Sequence, residues 1–183
     1  MYVSLTKMKP FSKKEVISLA VIFFILVAVS VPNYIVSLRR ARDQVRRDDM
    51  GALQKVLANY FEDFREFPMS SDDGRMIACN GACEWGKDAI VGQTKDGSKV
   101  YMNLLPREPK YQEGRSYRYI SDGQHYQILV ALEGTDEDEY DQKIIARGLK
   151  CGNVICNAGR GYGCETDKSL EQCNIDRMKG ITQ

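Results

Sequence analysis

The chain of 183 residues has a single histidine, His125, and a single tryptophan, Trp85. With one imidazole, a Ser-His-Asp or Cys-His arrangement could be built only around that ring. A zinc site would have to come almost wholly from cysteine. Excess charge of one sign is missing as well. Lys+Arg number 26 against 25 Asp+Glu, a formal net of +1, so no bulk attraction to nucleic acid is expected. The glycine-rich stretch GRGYG lacks the Lys-Ser/Thr end of a phosphate loop. These absences predict a protein that is not an enzyme, with His125 serving as a surface or hairpin residue.

What the chain does have is one long apolar run and none comparable after it. From Val16 to Val36 no residue carries a charge. At ~1.5 Å rise per residue this segment makes a helix of about 31 Å, the thickness of a bilayer core. The boundaries read as a basic leader at 1–10, a transmembrane helix at 11–36, an amphipathic continuation at 37–67 and a globular head at 68–183. A cleaved secretory signal fits poorly, because the run is too long and no small-x-small site follows it. Lysines and arginines flank both ends of the span, so charge alone leaves the orientation open. The six cysteines, Cys79, Cys83, Cys151, Cys156, Cys164 and Cys173, all lie downstream in close pairs. An even, closely spaced set suits an oxidising compartment. The expected topology is a single membrane span with its N-terminus cytoplasmic and its head extracytoplasmic. Fifteen disulfide connectivities remain open, of which neighbour-to-neighbour pairing would close three small loops. C-x3-C and C-x4-C spacings also resemble zinc ligand pairs, and disulfides are preferred outside the cytoplasm.

Helical spacing continues past the span. Leu38, Ala41, Val45, Ala52, Leu53, Val56, Leu57, Tyr60, Phe61 and Phe64 recur at three- and four-residue steps. Arg39, Asp43 and Arg47 occupy the opposite, solvent-facing side. Pro68 ends the pattern, and Pro32 is expected to kink or loosen the helix. Phe11 to Arg65 would make a rod of about 80 Å. Residues 69–115 read as a long connection. Two strands follow, Ser116–Asp122 and Gln124–Glu133, joined by an Asp122-Gly123 turn, the second half-buried with a period of two. Lys143–Arg147 is a weaker third strand. The expected fold class is α+β, a long helix packed on a small antiparallel sheet with disulfide-tied C-terminal loops.

These residues resemble the type IV pilins and the pseudopilins of type II secretion systems. Counting Phe11 as the first mature residue, the acid at the fifth position is Glu15, the proline at the twenty-second is Pro32 and the tyrosine at the twenty-fourth is Tyr34. The stretch YRYISDGQHYQILVALE is similar to the hairpin of such proteins. Pro10 stands where the family has glycine before the cleavage site, and Lys13 and Lys14 stand where it has apolar residues. The resemblance implies the inner membrane as the one spanned, and a structural subunit that assembles into a pseudopilus or pilus-like filament through its N-terminal helix. Glu15 would pair with the amine of a neighbouring copy. It further implies a prepilin peptidase cutting between Pro10 and Phe11, with methylation of Phe11. The implied partners are copies of the chain, related subunits, an inner-membrane assembly platform and the membrane itself, with nucleic acid only where the filament takes up DNA. No cofactor is expected. The acidic run EGTDEDEYDQ reads as a solvated loop, with Asp136, Asp138 and Asp141 as calcium candidates because major pseudopilins bind calcium in a nearby loop. The alternative is a monomeric, membrane-anchored binding domain.

Overall fold

The computed structural model describes residues 12–95 and 97–180. Two compact units, 1–39 and 40–183, share the first helix, α1 (Lys13–Phe64). Within the first unit every described residue from Ser12 to Leu38 is exposed. Helix assignment continues through Pro32 without a break. Pro32 cannot donate to the carbonyl four residues back. Beside it the Asn33 side chain donates to Val29 O at 3.1 Å.

The second unit is the head. Its strands are β1 (Met69–Ser70), β2 (Met76–Ile77), β3 (Ile90–Thr94), β4 (Gly97–Met102), β5 (Arg118–Ser121), β6 (Tyr126–Val130), β7 (Lys150–Cys151), β8 (Val154–Ile155) and β9 (Ala158–Tyr162). A 3-10 turn at Tyr111–Glu113 and two helices, α2 (Gln142–Ala146) and α3 (Leu170–Met178), complete it. The central sheet has the order β5-β6-β9 and is antiparallel throughout; the other strands form two-stranded pairs. The α+β class with a long N-terminal helix and small antiparallel sheets is as expected.

The turn between β5 and β6 forms where Asp122-Gly123 predicts it. Asp122 Oδ1 accepts the backbone N–H of Gln124 at 3.0 Å and of His125 at 2.7 Å, while Gly123 takes φ +86°. Such an Asx turn hands the backbone donors to a side chain, and the positive φ is free only for glycine. The strands are shorter than predicted, four and five residues.

Several expectations are corrected. The half-buried alternation of the second strand is wrong, because all five residues of β6 are buried. Tyr126, Ile128 and Val130 join the core that includes Met50, Leu53 and Leu57 of α1. On the other face Leu129 packs with Ile144, Cys151 and Cys156, and Gln127 donates to Glu165 O at 2.6 Å and Lys168 O at 2.9 Å. The C-terminal third therefore covers the face that a two-layer arrangement would leave to water. Lys143–Arg147 is not a strand. It falls within and just after α2, which Asp141 caps by accepting the N–H of Lys143 at 2.8 Å. Ile144 alone of that helix is buried. The third strand is instead β9, AGRGY, whose glycines hid it from propensity. A Cβ at Gly161 would stand 2.6 Å from Cys164 O and 2.9 Å from Tyr126 O, so the close approach of three backbones selects glycine. The connection at 69–115 carries two strand pairs and the 3-10 turn rather than a plain loop.

The amphipathic stripe holds in its second half, where Leu53 and Leu57 are buried and Val56, Tyr60 and Phe61 pack against the core, and is reassigned in its first half. Leu38, Ala41 and Val45 are exposed. The buried row of α1 is Asp43, Arg46, Met50, Leu53 and Leu57, at steps of three and four. Asp43, expected to face solvent, is fully buried. The side of the helix that enters the head thus begins with charge and ends with hydrocarbon.

Candidate functional site on the long helix

Helix α1 opens on a capping box. Ser12 O accepts the first helical N–H from Val16 at 3.1 Å. Ser12 N donates to Glu15 Oε2 at 2.7 Å, and Glu15 N donates to Ser12 Oγ at 3.4 Å. Serine at the cap and an acid three residues on satisfy each other's backbone donors, as S-x-x-E does at many helix starts. Among the described residues Ser12 is the only hydrogen-bond partner of the Glu15 side chain. Its negative charge also sits at the positive end of the helix dipole.

From that box the helix runs as bare hydrocarbon. An 18-residue window has mean hydropathy 2.5 and none of it is buried, so this one helix is long and apolar enough to cross a membrane. Tyr34 lies on the same exposed stretch, 65 % accessible. Glu15, Pro32 and Tyr34 are thus all on an uncovered helix. Pro10 and Phe11, the cleavage and methylation candidates, lie outside the described residues.

Where α1 enters the head, six charged groups converge. Arg46, fully buried, donates through Nε to Glu108 at 2.7 Å and through Nη1 to Asp43 at 2.6 Å and Glu133 at 3.0 Å. Arg42 grips Glu133 with Nε at 2.7 Å and Nη2 at 2.6 Å, a bidentate pair. Asp43 in turn accepts the backbone N–H groups of Glu133 and Gly134, each at 2.9 Å. Lys110 Nζ stands 3.6 Å from Glu133. Three cations, Arg42, Arg46 and Lys110, therefore balance three acids, Asp43, Glu108 and Glu133. The hydrogen bonds from Arg42 hold Glu133 well below the usual carboxylate range, at about 2, although burial works against it. Burial disfavours the Arg46 cation, but the acids around it, Glu108 foremost, outweigh that and raise its pKa. One turn further on, the Tyr117 hydroxyl donates to Asp49 at 2.5 Å. Burial pushes the Asp49 carboxyl up, and the Tyr117 hydroxyl bond opposes it.

The acidic loop finds its partners in the same arginine run. Glu137 and Glu139 meet Arg47, the latter at 3.1 Å, and Glu139 also meets Arg160 at 2.8 Å. Asp136 lies 3.7 Å from Arg40. The calcium candidates are not brought together: Asp136 turns to Arg40, Asp141 caps α2 and Asp138 is exposed. Among the described residues no group of three His, Cys, Asp or Glu converges as a metal-ion cluster would. The RRARDQVRR segment and the acidic run were thus each other's complement. The signal that could have joined them is the presence of two opposite charge runs in a chain whose total charge nearly balances.

All six cysteines are paired with their sequence neighbours: Cys79–Cys83, Cys151–Cys156 and Cys164–Cys173, with Cα separations of 5.3, 5.1 and 5.7 Å. His125 is a hairpin residue, yet buried; its Nδ1 lies 3.0 Å from Asp122 Oδ2, which also accepts from Asn174 of α3 at 3.1 Å. Burial raises the Asp122 pKa, but the donors from His125, Asn174 and Gln124 hold it at about 2.

Comparison with protein-family models, with characterised proteins and with solved structures finds no match to this chain.

Proposed function

We propose that the chain is a membrane-anchored, pilin-like structural subunit that assembles through its N-terminal helix into a pseudopilus or pilus-like filament. The observation that carries this reading is the wholly exposed apolar half of α1, entered by one acid, Glu15, and continued into a head locked by ion pairs and disulfides. So much uncovered hydrocarbon needs lipid or neighbouring helices around it. The three disulfides support a head outside the cytoplasm. The Glu15, Pro32 and Tyr34 spacing supports helix-to-helix assembly over a passive tether. In this reading the role is structural rather than catalytic, the partners are further copies, related subunits and an assembly platform, and no cofactor takes part.

The capping box dictates how to test it. Glu15→Gln keeps a side chain that can cap at the third helical position but removes the charge, whereas Glu15→Ala removes both. Photo-crosslinkers placed at Phe23 and Phe24 should give regular ladders in membranes for the parent chain. Ladders should vanish in both variants. Ladders that persist in Glu15→Gln but not Glu15→Ala would reduce the acid to a helix cap. Absence of any ladder in the parent would leave a tethered monomer, the reading favoured by the fact that Ser12 already satisfies one oxygen of Glu15 within a single chain. Mass spectrometry of the purified protein would separately show whether Phe11 is the mature N-terminus.

A further inference from the structure

Cys79 and Cys83 close a five-residue ring around Asn80-Gly81-Ala82. Asn80 is exposed and holds φ +58°, in the left-handed region. Gly81 follows at φ +152°, and a Cβ there would meet nothing within 4 Å. Of the seven asparagines, this is the only one followed by glycine. Four of the others have bonded side chains: Asn33 to Val29 O, Asn153 to Glu113 O, Asn174 to Asp122, and Asn157 through both ends to Leu132. Asn80 has no side-chain hydrogen bond among the described residues. It borders an open surface cavity of about 250 Å³ shared with Asp88, Gln93 and Ser98, so water reaches it freely.

We infer that Asn80 is a site of spontaneous covalent modification, converted through a succinimide to a mixture of aspartate and isoaspartate. The Gly81 amide nitrogen gives its proton to solvent base and attacks Asn80 Cγ. The new C–N bond closes a five-membered ring, the Cγ–Nδ2 bond breaks, and Nδ2 leaves as ammonia after taking a proton from water. Water then opens the ring at one of its two carbonyls. Opening on the Cγ side yields aspartate; opening on the backbone carbonyl side routes the main chain through the side chain as isoaspartate. Glycine at the next position is what permits the ring, since it has no Cβ to obstruct closure and can rotate freely. The product carries one more negative charge, which takes the formal net charge from +1 to zero. In the isoaspartate form the ring between the two cysteines gains an extra backbone carbon.

Full-length protein in detergent, with disulfides intact, is incubated in mildly alkaline buffer. Peptide mass spectrometry with fragmentation that separates isoaspartate from aspartate follows residues 76–86. The expected result is conversion at Asn80 with the other six asparagines intact, and an acidic shift on isoelectric focusing that comigrates with Asn80→Asp. Gly81→Ala, checked for folding by near-ultraviolet circular dichroism, should slow the conversion by at least an order of magnitude. The inference is overturned if Asn80 persists while a linear peptide of the same residues converts, or if the remaining asparagines convert at the same rate.

Discussion

Arg46 and Glu108 are 62 positions apart in sequence and meet inside the head, with Nε and Oε1 2.7 Å apart and neither side chain reaching water to any extent. Around them Asp43 and Glu133 complete the coordination of one guanidinium. A buried ion pair of this kind contributes little over a well-packed apolar pair, because both ions lose their hydration. Removing one partner is costly, because the other stays buried and unpaired.

Arg46→Ala should therefore destabilise the protein by about 3–5 kcal/mol. Arg46→Lys keeps the charge, but an ammonium cannot span Asp43, Glu108 and Glu133 at once, so its stability should fall between the two. Chemical denaturation of the full chain in detergent, followed by near-ultraviolet circular dichroism, measures the series. Equal stability of all three proteins would show that the cluster contributes nothing net.

Acid should unfold the head in a defined window. Glu133 and Asp122 are both held at about 2 in the folded state, below their ordinary values. A depressed carboxylate stabilises the fold above its unfolded pKa, and that contribution is lost as pH falls toward the folded one. The loss should run from about pH 4.5 down to about pH 2, on the order of 3 kcal/mol for Glu133 and about 2 kcal/mol for Asp122. In Glu133→Gln the protein should be weaker at neutral pH and show a shallower acid limb. A variant with the parent's full acid limb would exclude Glu133 as its source.

The Cys164–Cys173 disulfide closes the longest of the three loops, with a sequence separation of 9 against 4 and 5. Loop-closure entropy gives it about 2.7 kcal/mol, against about 2 kcal/mol for the shorter ones. It also ties down α3, whose only buried residue is Cys173. Replacing both cysteines by serine should raise amide hydrogen exchange across 170–178 before any change in the β5-β6-β9 sheet. Unchanged exchange in α3 would show that Asn174 and its neighbours hold the helix alone.

Gly161→Ala tests how tightly the C-terminal loop lies on β9. Its Cβ would press on two carbonyl oxygens, those of Cys164 and Tyr126, and backbone cannot swing away as a side chain can. A cost of about 1–3 kcal/mol is expected. Gly148→Ala at a turn, where a Cβ meets nothing within 4 Å, separates crowding from the strain of positive φ.

Much of this molecule was legible along the chain. The apolar run from Val16 to Val36, the Asp122-Gly123 turn and the neighbouring cysteines all depend on groups a few residues apart, as does the Ser12–Glu15 cap, a signal that was present in S-x-x-E but not read. Spacing at that range translates directly into a helix, a cap, a reversal or a small ring. The strand β9 was not legible, because its glycines answer to crowding by Cys164 and Tyr126. Nor was α2, where Asp141 as a cap overrode the β-branched Ile144 and Ile145.

The interior of the head was a tertiary decision. Nothing local says that Asp43 and Arg46 turn inward while Leu38 and Val45 stay outside. Charge can be buried only where opposite charge and backbone donors arrive to replace water, and here they come from Glu108, Glu133 and Gly134, far along the chain. Likewise β6 became two-sided only once the C-terminal residues folded over its far face. Local periodicity records which groups prefer to leave water, but the fold alone brings together the partners that let the others follow.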